Sequence, residues 1–233
     1  MKRFFNFIAR ILFTIPVKIL FRTKTLGRKN RPRGIQIAIG NHLSWLDIPV
    51  TWMGVRGYRR IMAKKEIGKN PFARFWASLV GVFFIDRSKA DMSVIRSTLR
   101  ILKKHSVFIY PESHRNRQGN TEIQEVKAGA AMFAIKSQVP LVPIMIYNKP
   151  KLFRKNYLYV GQPFELSDYY GKRLDMQTLE EAALIVSHQM KLAQAVLRDM
   201  VENKRWKKKN RLSTEELYAI AEERLVQVEQ WKS

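Results

Sequence analysis

A histidine and an aspartate five residues apart, His42 and Asp47, are the residues of this 233-residue chain best suited to proton transfer. They lie in Gly40-Asn41-His42-Leu43-Ser44-Trp45-Leu46-Asp47. A neutral imidazole takes a proton from a hydroxyl near pH 7. A carboxylate on its other ring nitrogen fixes the tautomer and stabilises the imidazolium. Such a pair needs no serine or cysteine nucleophile if the substrate brings its own hydroxyl. On one continuous helix, five residues set the two side chains apart in azimuth, because neighbours there are three and four apart. The pair therefore meets only if the chain turns between them, with Leu43 and Ser44 in a loop and a helix starting within 44–47. A structural reading stands beside the catalytic one. Ser44-Trp45-Leu46-Asp47 has the form of a capping box, which makes Asp47 a helix-start residue. Asp47 could also be the N-cap itself, with Pro49 in the first turn. Spacing alone leaves these readings open.

Stepping outward, the pair must be positioned by a strand. Ile35-Gln36-Ile37-Ala38-Ile39 alternates and predicts a strand with Ile35, Ile37 and Ile39 on one face. The Gly-Asn pair that follows breaks it. His42 then falls on the loop at the strand's carboxyl end, the edge where ligands bind in open α/β sheets. Downstream, an apolar stretch over 48–55 is followed by a basic connector with Arg56, Arg59, Arg60, Lys64 and Lys65. Residues 72–80 read as helix and 82–85 as a buried strand ending at Asp86-Arg87. Met92, Ile95, Leu99 and Leu102 mark one helix face at spacings of three and four. Residues 107–110 read as a short strand ending at Pro111-Glu112, and 126–138 as an alanine-rich helix. Residues 141–147 read as a strand whose Pro143 belongs at a strand start, an edge or a bulge. Residues 157–160 read as one more strand. Beyond Pro163 the pattern turns helical, with an amphipathic run over 179–201 and a polybasic break over 204–211. Ser213-Thr214-Glu215-Glu216 opens a last helix with a capping box. This alternation predicts an α/β fold with a mixed, mostly parallel sheet flanked by helices.

Composition narrows the function. There is no cysteine, so disulfides, thiolate metal sites and cysteine nucleophiles are excluded. His42, His105, His114 and His188 show no metal-ligand spacing. The net charge of +24 calls for anionic partners: phosphorylated substrates, anionic membrane lipid, an acidic carrier protein or nucleic acid. Residues 1–21 are rich in phenylalanine and isoleucine but interrupted by Arg10, Pro16 and Lys18. A spanning helix wants about 20 predominantly apolar residues. The segment reads as an interfacial membrane anchor with its basic residues snorkelling; a spanning helix and a buried core helix are the alternatives. Arg22, Lys24, Arg28, Lys29, Arg31 and Arg33 follow, suited to anionic head groups or to a solvated linker. The expected organisation is an anchoring segment over 1–33, a catalytic core over 34–165 and a helical extension over 166–233.

Three later stretches join the His42 block: Gly81-Val82-Phe83-Phe84-Ile85-Asp86-Arg87, Tyr110-Pro111-Glu112-Ser113-His114-Arg115-Asn116 and Val139-Pro140-Leu141-Val142-Pro143-Ile144. Together, in order and at sensible spacing, the four resemble the motif blocks of the glycerolipid acyltransferases over about residues 34–163. The third block in that family usually reads Phe-Pro-Glu-Gly-Thr-Arg. Here Tyr110, Ser113 and His114 depart from it, while Pro111, Glu112 and Arg115 remain. Ser113 gives up some of the backbone freedom of glycine, and His114 adds a titratable group.

The resemblance implies an O-acyltransferase acting on a 1-acylglycerol 3-phosphate, with another lysophospholipid or glycerol 3-phosphate as the alternative acceptor. It implies His42 as base, Asp47 as its orienting group, and Arg87, Glu112, Arg115 and Lys127 at the acceptor-binding site. No cofactor is expected; acyl-coenzyme A or acyl-acyl carrier protein serves as donor substrate. The expected partners are anionic membrane lipid, a lysophospholipid acceptor and the donor, at the cytoplasmic face of the membrane. A basic nucleic-acid-binding protein is the competing class, but no helix-turn-helix, zinc-finger or RNA-recognition signature supports it and no nucleic acid is expected. A catalytically silent membrane-binding relative is the third reading.

Overall fold

The computed structural model describes residues 14–52, 59–71, 74, 77, 81–85, 92–118 and 120–230. Seven strands form one sheet: β1 (Thr23–Leu26), β2 (Ile37–Gly40), β3 (Arg59–Lys64), β4 (Val82–Ile85), β5 (Ser106–Ile109), β6 (Leu141–Ile146) and β7 (Asn156–Val160). Their order across the sheet is β1-β7-β6-β2-β5-β3-β4. Every pairing is parallel except that of β6 with β7. The mixed, mostly parallel sheet expected from the alternation is therefore present. The helices are α1 (Asp47–Trp52), α2 (Met92–Leu102), α3 (Gly129–Ser137), α4 (Met176–Glu202) and α5 (Thr214–Gln230), with a further helical stretch over 14–21.

Period-two alternation divides the core into two layers. Ile37, Ile39, Val107, Ile109, Leu141 and Met145 face one way and pack with α2, α3, α4 and α5. Ala38, Phe108, Tyr110, Val142, Ile144 and Ile146 face the other way, against Val17 and Phe21 of the 14–21 helix and Val50 of α1. The thick helical layer lies on the first side. The C-terminal helices belong to it rather than forming an appendage: Asp199 of α4 is 1% exposed and is held by Arg205 and by Arg224 of α5. The capping box expected for α5 forms in both directions, Glu216 N–H to Ser213 Oγ and Ser213 N–H to Glu216 Oε2.

Two strands escape the sequence pattern. The stretch expected as a basic connector contains β3, and the basic segment assigned to the anchor contains β1. Residue 34 is therefore not a structural boundary: β1 pairs with β7 over four residues at the sheet edge. The Gly27 turn after it has φ 65°, and an added Cβ there would lie 2.2 Å from the Val160 carbonyl oxygen, so only glycine fits. Residues 1–13 and most of 72–80 lie outside the described residues. In the 14–21 helix Val17 and Phe21 are buried, whereas Ile15 and Ile19 are 54% and 66% exposed. Among the described residues no helix is long and apolar enough to cross a membrane.

Pro143 sits mid-strand between β7 and β2, yet at an irregularity. Between the pairs Leu141–Phe164 and Ile144–Val160, the β7 side carries one residue more than the β6 side. Its missing N–H thus falls where the antiparallel ladder is already interrupted, as a bulge position requires.

Candidate active site

The carboxyl ends of the parallel strands β2, β5 and β6 meet at one edge, and the His42 loop leaves the sheet there. β2 ends at Gly40, whose position admits no side chain: an added Cβ would stand 2.8 Å from Phe108 Cζ and 3.0 Å from the Ile144 carbonyl oxygen. The next residue, Asn41, is fully buried and replaces a strand partner. Its Nδ2 donates to the Ile146 carbonyl at 3.0 Å, and its Oδ1 accepts the Ile146 N–H at 2.8 Å. Backbone pairing is thereby carried one step past the end of β2 by a side chain, and His42 is turned out of the sheet.

Residues 41–44 are loop, 45–46 a turn, and α1 begins at Asp47. This is the turn that the spacing required, and the pair meets: His42 Nδ1 lies 2.9 Å from Asp47 Oδ2. Asp47 is fully buried. The same Oδ2 accepts the N–H groups of Leu43 and Ser44 at 2.5 and 2.6 Å, and Oδ1 accepts the Ser44 hydroxyl at 3.2 Å. Ser44 Oγ in turn accepts the Leu46 N–H at 3.0 Å. Capping and orienting are thus both realised, by one carboxylate. Since an ionised carboxylate only accepts, Nδ1 carries the imidazole proton and the lone pair is left on Nε2.

The imidazole is supported from below by Tyr110, stacked at 4.2 Å between centroids and 19° between planes. The phenol is buried and bonded to Thr51 Oγ1 at 3.0 Å, and Thr51 Oγ1 also donates to the Asp47 carbonyl at 2.8 Å. Burial, helped by the nearby Asp47 charge, pushes the Tyr110 phenol well above its ordinary pKa, so it stays neutral. The His42 side chain is only 13% exposed.

Glu112, 3% exposed, braces the loop from the other side. Its Oε1 accepts the His42 N–H at 3.0 Å and its Oε2 the Gln124 N–H at 3.0 Å. Burial pushes its carboxyl up from 4.5 to about 7; the two N–H donors pull against that shift and Asp47 adds to it. Both oxygens of Glu112 are therefore engaged with backbone, and the carboxyl ties the loop that carries the imidazole to the segment at Gln124. Asn116 adds a second clasp, its N–H donating to the His42 carbonyl at 2.8 Å.

The basic residues are less tightly gathered. Arg115 is half-buried, its guanidinium 4.4 Å from the centroid of Trp45, three residues after His42. Lys127 reaches the site only through its backbone, whose N–H donates to the Pro111 carbonyl at 3.1 Å. Its ammonium pairs with Glu125 at 2.5 Å, both side chains being largely exposed. Arg87 lies outside the described residues. Ser113 adopts φ 62°, the left-handed conformation that glycine would take without steric penalty. His114 is exposed. Sequence reasoning missed Asn41, Thr51, Tyr110 and Asn116 as site-builders. The signal for two of them was adjacency: Asn41 precedes His42, and Tyr110 ends β5 just before Pro111-Glu112.

The acyltransferase family model matches residues 22–147. The chain is 26% identical over 159 residues to the 1-acyl-sn-glycerol-3-phosphate acyltransferase of Saccharomyces cerevisiae, covering 66% of this chain and 50% of the yeast protein. It is 28% identical over 155 residues to the Bacillus subtilis protein of that name, covering 63% of this chain and 75% of the other. The chain spans about half the length of the curated relatives it matches, the Bacillus protein excepted. Its fold is similar to the crystal structure of the 1-acyl-sn-glycerophosphate acyltransferase from Thermotoga maritima, with a TM-score of 0.57 and 21% identity over 81% of this chain and 77% of that one. With its His–Asp pair at the carboxyl edge of the sheet inside a family-model match that spans more than half the sequence, this chain belongs to the acyltransferase family.

Proposed function

We propose that this protein is an O-acyltransferase that moves a fatty acyl group from an acyl thioester to the free hydroxyl of 1-acylglycerol 3-phosphate, giving phosphatidic acid. The observation that carries the reading is the His42–Asp47 pair, which commits Nδ1 and leaves Nε2 as the base. Nε2 takes the proton of the acceptor hydroxyl as its oxygen attacks the thioester carbonyl. The tetrahedral intermediate collapses, the carbon–sulfur bond breaks, and the imidazolium returns the proton to the departing thiolate. Asp47 stabilises the imidazolium through the Nδ1 hydrogen bond. Glu112 and Asn116 act as positioning residues, because they hold the backbone of His42 rather than its ring.

The names of the yeast and Bacillus relatives support 1-acylglycerol 3-phosphate as acceptor. Arg115, Lys127 and Arg87 are the proposed phosphate contacts; a guanidinium offers a planar fork for phosphate oxygens. The donor is acyl-coenzyme A or an acyl-acyl carrier protein, and the reaction needs no cofactor. An acceptor that keeps one fatty chain resides in a bilayer, so the enzyme works at the cytoplasmic membrane face, held by its N-terminal segment and its charge.

The deciding experiment measures thiol release from both donors against a panel of lysophospholipids and glycerol 3-phosphate. Wild type should release thiol with 1-acylglycerol 3-phosphate. His42→Ala should lose on the order of 100- to 10,000-fold in turnover while keeping its melting transition. Near wild-type turnover in folded His42→Ala would sink the mechanism.

A further inference from the structure

We propose that the basic cavity beside the His42 loop binds the nucleotide end of the donor, the 3′-phosphorylated adenosine diphosphate of coenzyme A. This rests on the acyl-thioester reading above and gives the donor a place. The cavity holds about 410 Å³ and lies between the segment 120–121 and the loop that joins β6 to β7. Pockets of this size suit small molecules. Lys149, Lys151, Arg154 and Lys155 line it, four cations on seven consecutive residues. Among the described residues no carboxylate forms an ion pair with any of the four. Glu202 engages the hydroxyl of Tyr147, a lining residue.

The loop is built, not merely basic. Asn156, 6% exposed, clamps it: Nδ2 donates to the carbonyls of Phe21, Lys151 and Arg154 at 2.5, 2.9 and 3.0 Å, and Oδ1 accepts the Lys151 N–H at 2.9 Å. The opposite wall is fixed to α4, where Gln194 donates to the Thr121 carbonyl and Arg198 to Thr121 Oγ1 at 2.9 Å. Two aromatic rings, Tyr147 and Tyr157, complete the lining, and Tyr157 is held by stacking on Trp206 at 5.3 Å. Cations with aromatic rings in a fixed cavity suit a purine bearing several phosphates. A protein partner's acidic face asks instead for a broad open patch.

Placement also fits. Tyr147 directly follows Ile146, whose backbone is bonded by Asn41, the neighbour of His42. Asn120 accepts from Asn116, which clasps the His42 carbonyl. The cavity thus lies at the same edge of the sheet as the His42 loop, at the carboxyl end of β6, the strand next to β2; its tyrosines pack with the helical layer, whereas His42 stacks on Tyr110 of the opposite layer. In coenzyme A the pantetheine arm separates the thioester from the nucleotide, so adjacent sites are what the molecule needs.

The test uses the double variant Lys151→Glu/Arg154→Glu, two exposed loop residues, with its melt compared to wild type. Binding of adenosine 3′,5′-bisphosphate, followed by titration calorimetry, should be measurable for wild type and weakened about tenfold to a hundredfold in the variant. With a soluble short-chain acceptor, which keeps the bilayer out of the assay, the KM for acyl-coenzyme A should rise in step, with kcat and the KM for an acyl-pantetheine donor unchanged. Equal loss with both donors overturns the proposal, as does an effect confined to acyl-acyl carrier protein. So does loss of anionic-vesicle binding with donor kinetics unaltered. Failure of the acyltransferase reading is told apart, because nucleotide binding and its loss in the variant are read without turnover. If the double variant fails to fold, Lys155→Gln with the same titration replaces it, and unchanged nucleotide affinity there counts against the site.

Discussion

Asp47 holds the imidazole, two loop N–H groups and a serine hydroxyl with one side chain. The proposed catalytic role and local folding are therefore inseparable at this residue and separable at His42. Asp47→Asn places an amide NH2 against buried N–H donors, and each bond lost there costs about 1–3 kcal/mol. The expected outcome is a lowered melting temperature together with lost turnover, whereas His42→Ala loses turnover alone. Equal melts for the two variants would contradict this division. Glu112 supplies a pH dependence. With its carboxyl pushed up to about 7, the folded chain keeps a proton that the unfolded chain releases from its ordinary 4.5 upward. This contribution to stability is fully present below about pH 4.5 and is lost as pH rises to about 7. Relative to Glu112→Gln, wild type should lose stability between pH 5 and 7 and change little above that; parallel denaturant titrations of the two proteins check it. The His–Asp pair was legible from residue types and from the break after Ile39. The bracing by Glu112 was not, because its partners are backbone N–H groups that carry no side-chain signature.

At the scale of elements, the site depends on how β2 ends. Asn41 is paired on both of its amide functions with Ile146. Asn41→Ala should leave a buried N–H and a buried carbonyl without partners, about 1–3 kcal/mol each. It should also loosen the His42 loop. Expected are a lower denaturant midpoint and a reduced kcat, both partly restored in Asn41→Asp, which retains the acceptor for the Ile146 N–H. A midpoint unchanged in Asn41→Ala would mean that the pairing contributes nothing. Strands with apolar alternation or continuous burial, such as β2, β5 and β6, were legible in advance. β3 was not, because Arg59-Arg60 and Lys64 bracket only three apolar residues and imitate a connector. β1 was missed for a similar reason: an edge strand of four residues containing Lys24 offers no alternation long enough to read. Its place is set by pairing with β7, more than a hundred residues away, and such pairing is invisible to local pattern. The amphipathic helix α4 and the boxed start of α5 carry their signals within one segment, and both appear where the sequence puts them.

The whole molecule is asymmetric. One sheet face bears α2, α3, α4 and α5, while the other is covered by the 14–21 helix and α1. On that thin side Ile15 and Ile19 point outward while Val17 and Phe21 face the core. The loop tip beside them adds exposed Leu152 and Phe153, tied to the helix by the Phe153 N–H donating to the Leu20 carbonyl at 2.6 Å. Exposed isoleucine, leucine and phenylalanine on a chain of net charge +24 form the kind of surface that binds anionic bilayers. Core residues and outward apolar residues thus share one helix, so deletion cannot test the membrane role proposed for it. Cutting at residue 34 would remove β1 and two core side chains along with any anchor, and the melt would fall for that reason alone. Substitution on the outer face separates the two. Ile15→Ser/Ile19→Ser should keep the melting temperature within a few degrees, because neither side chain is buried. It should weaken sedimentation with anionic vesicles and lower turnover on acceptor presented in a bilayer. Turnover on a soluble short-chain acceptor should remain at the wild-type level. Raising salt should weaken what binding is left, since charges beyond about 8 Å are screened at physiological ionic strength. Vesicle binding equal to wild type in the folded double variant would remove this face from the membrane contact and leave the charge alone to account for it.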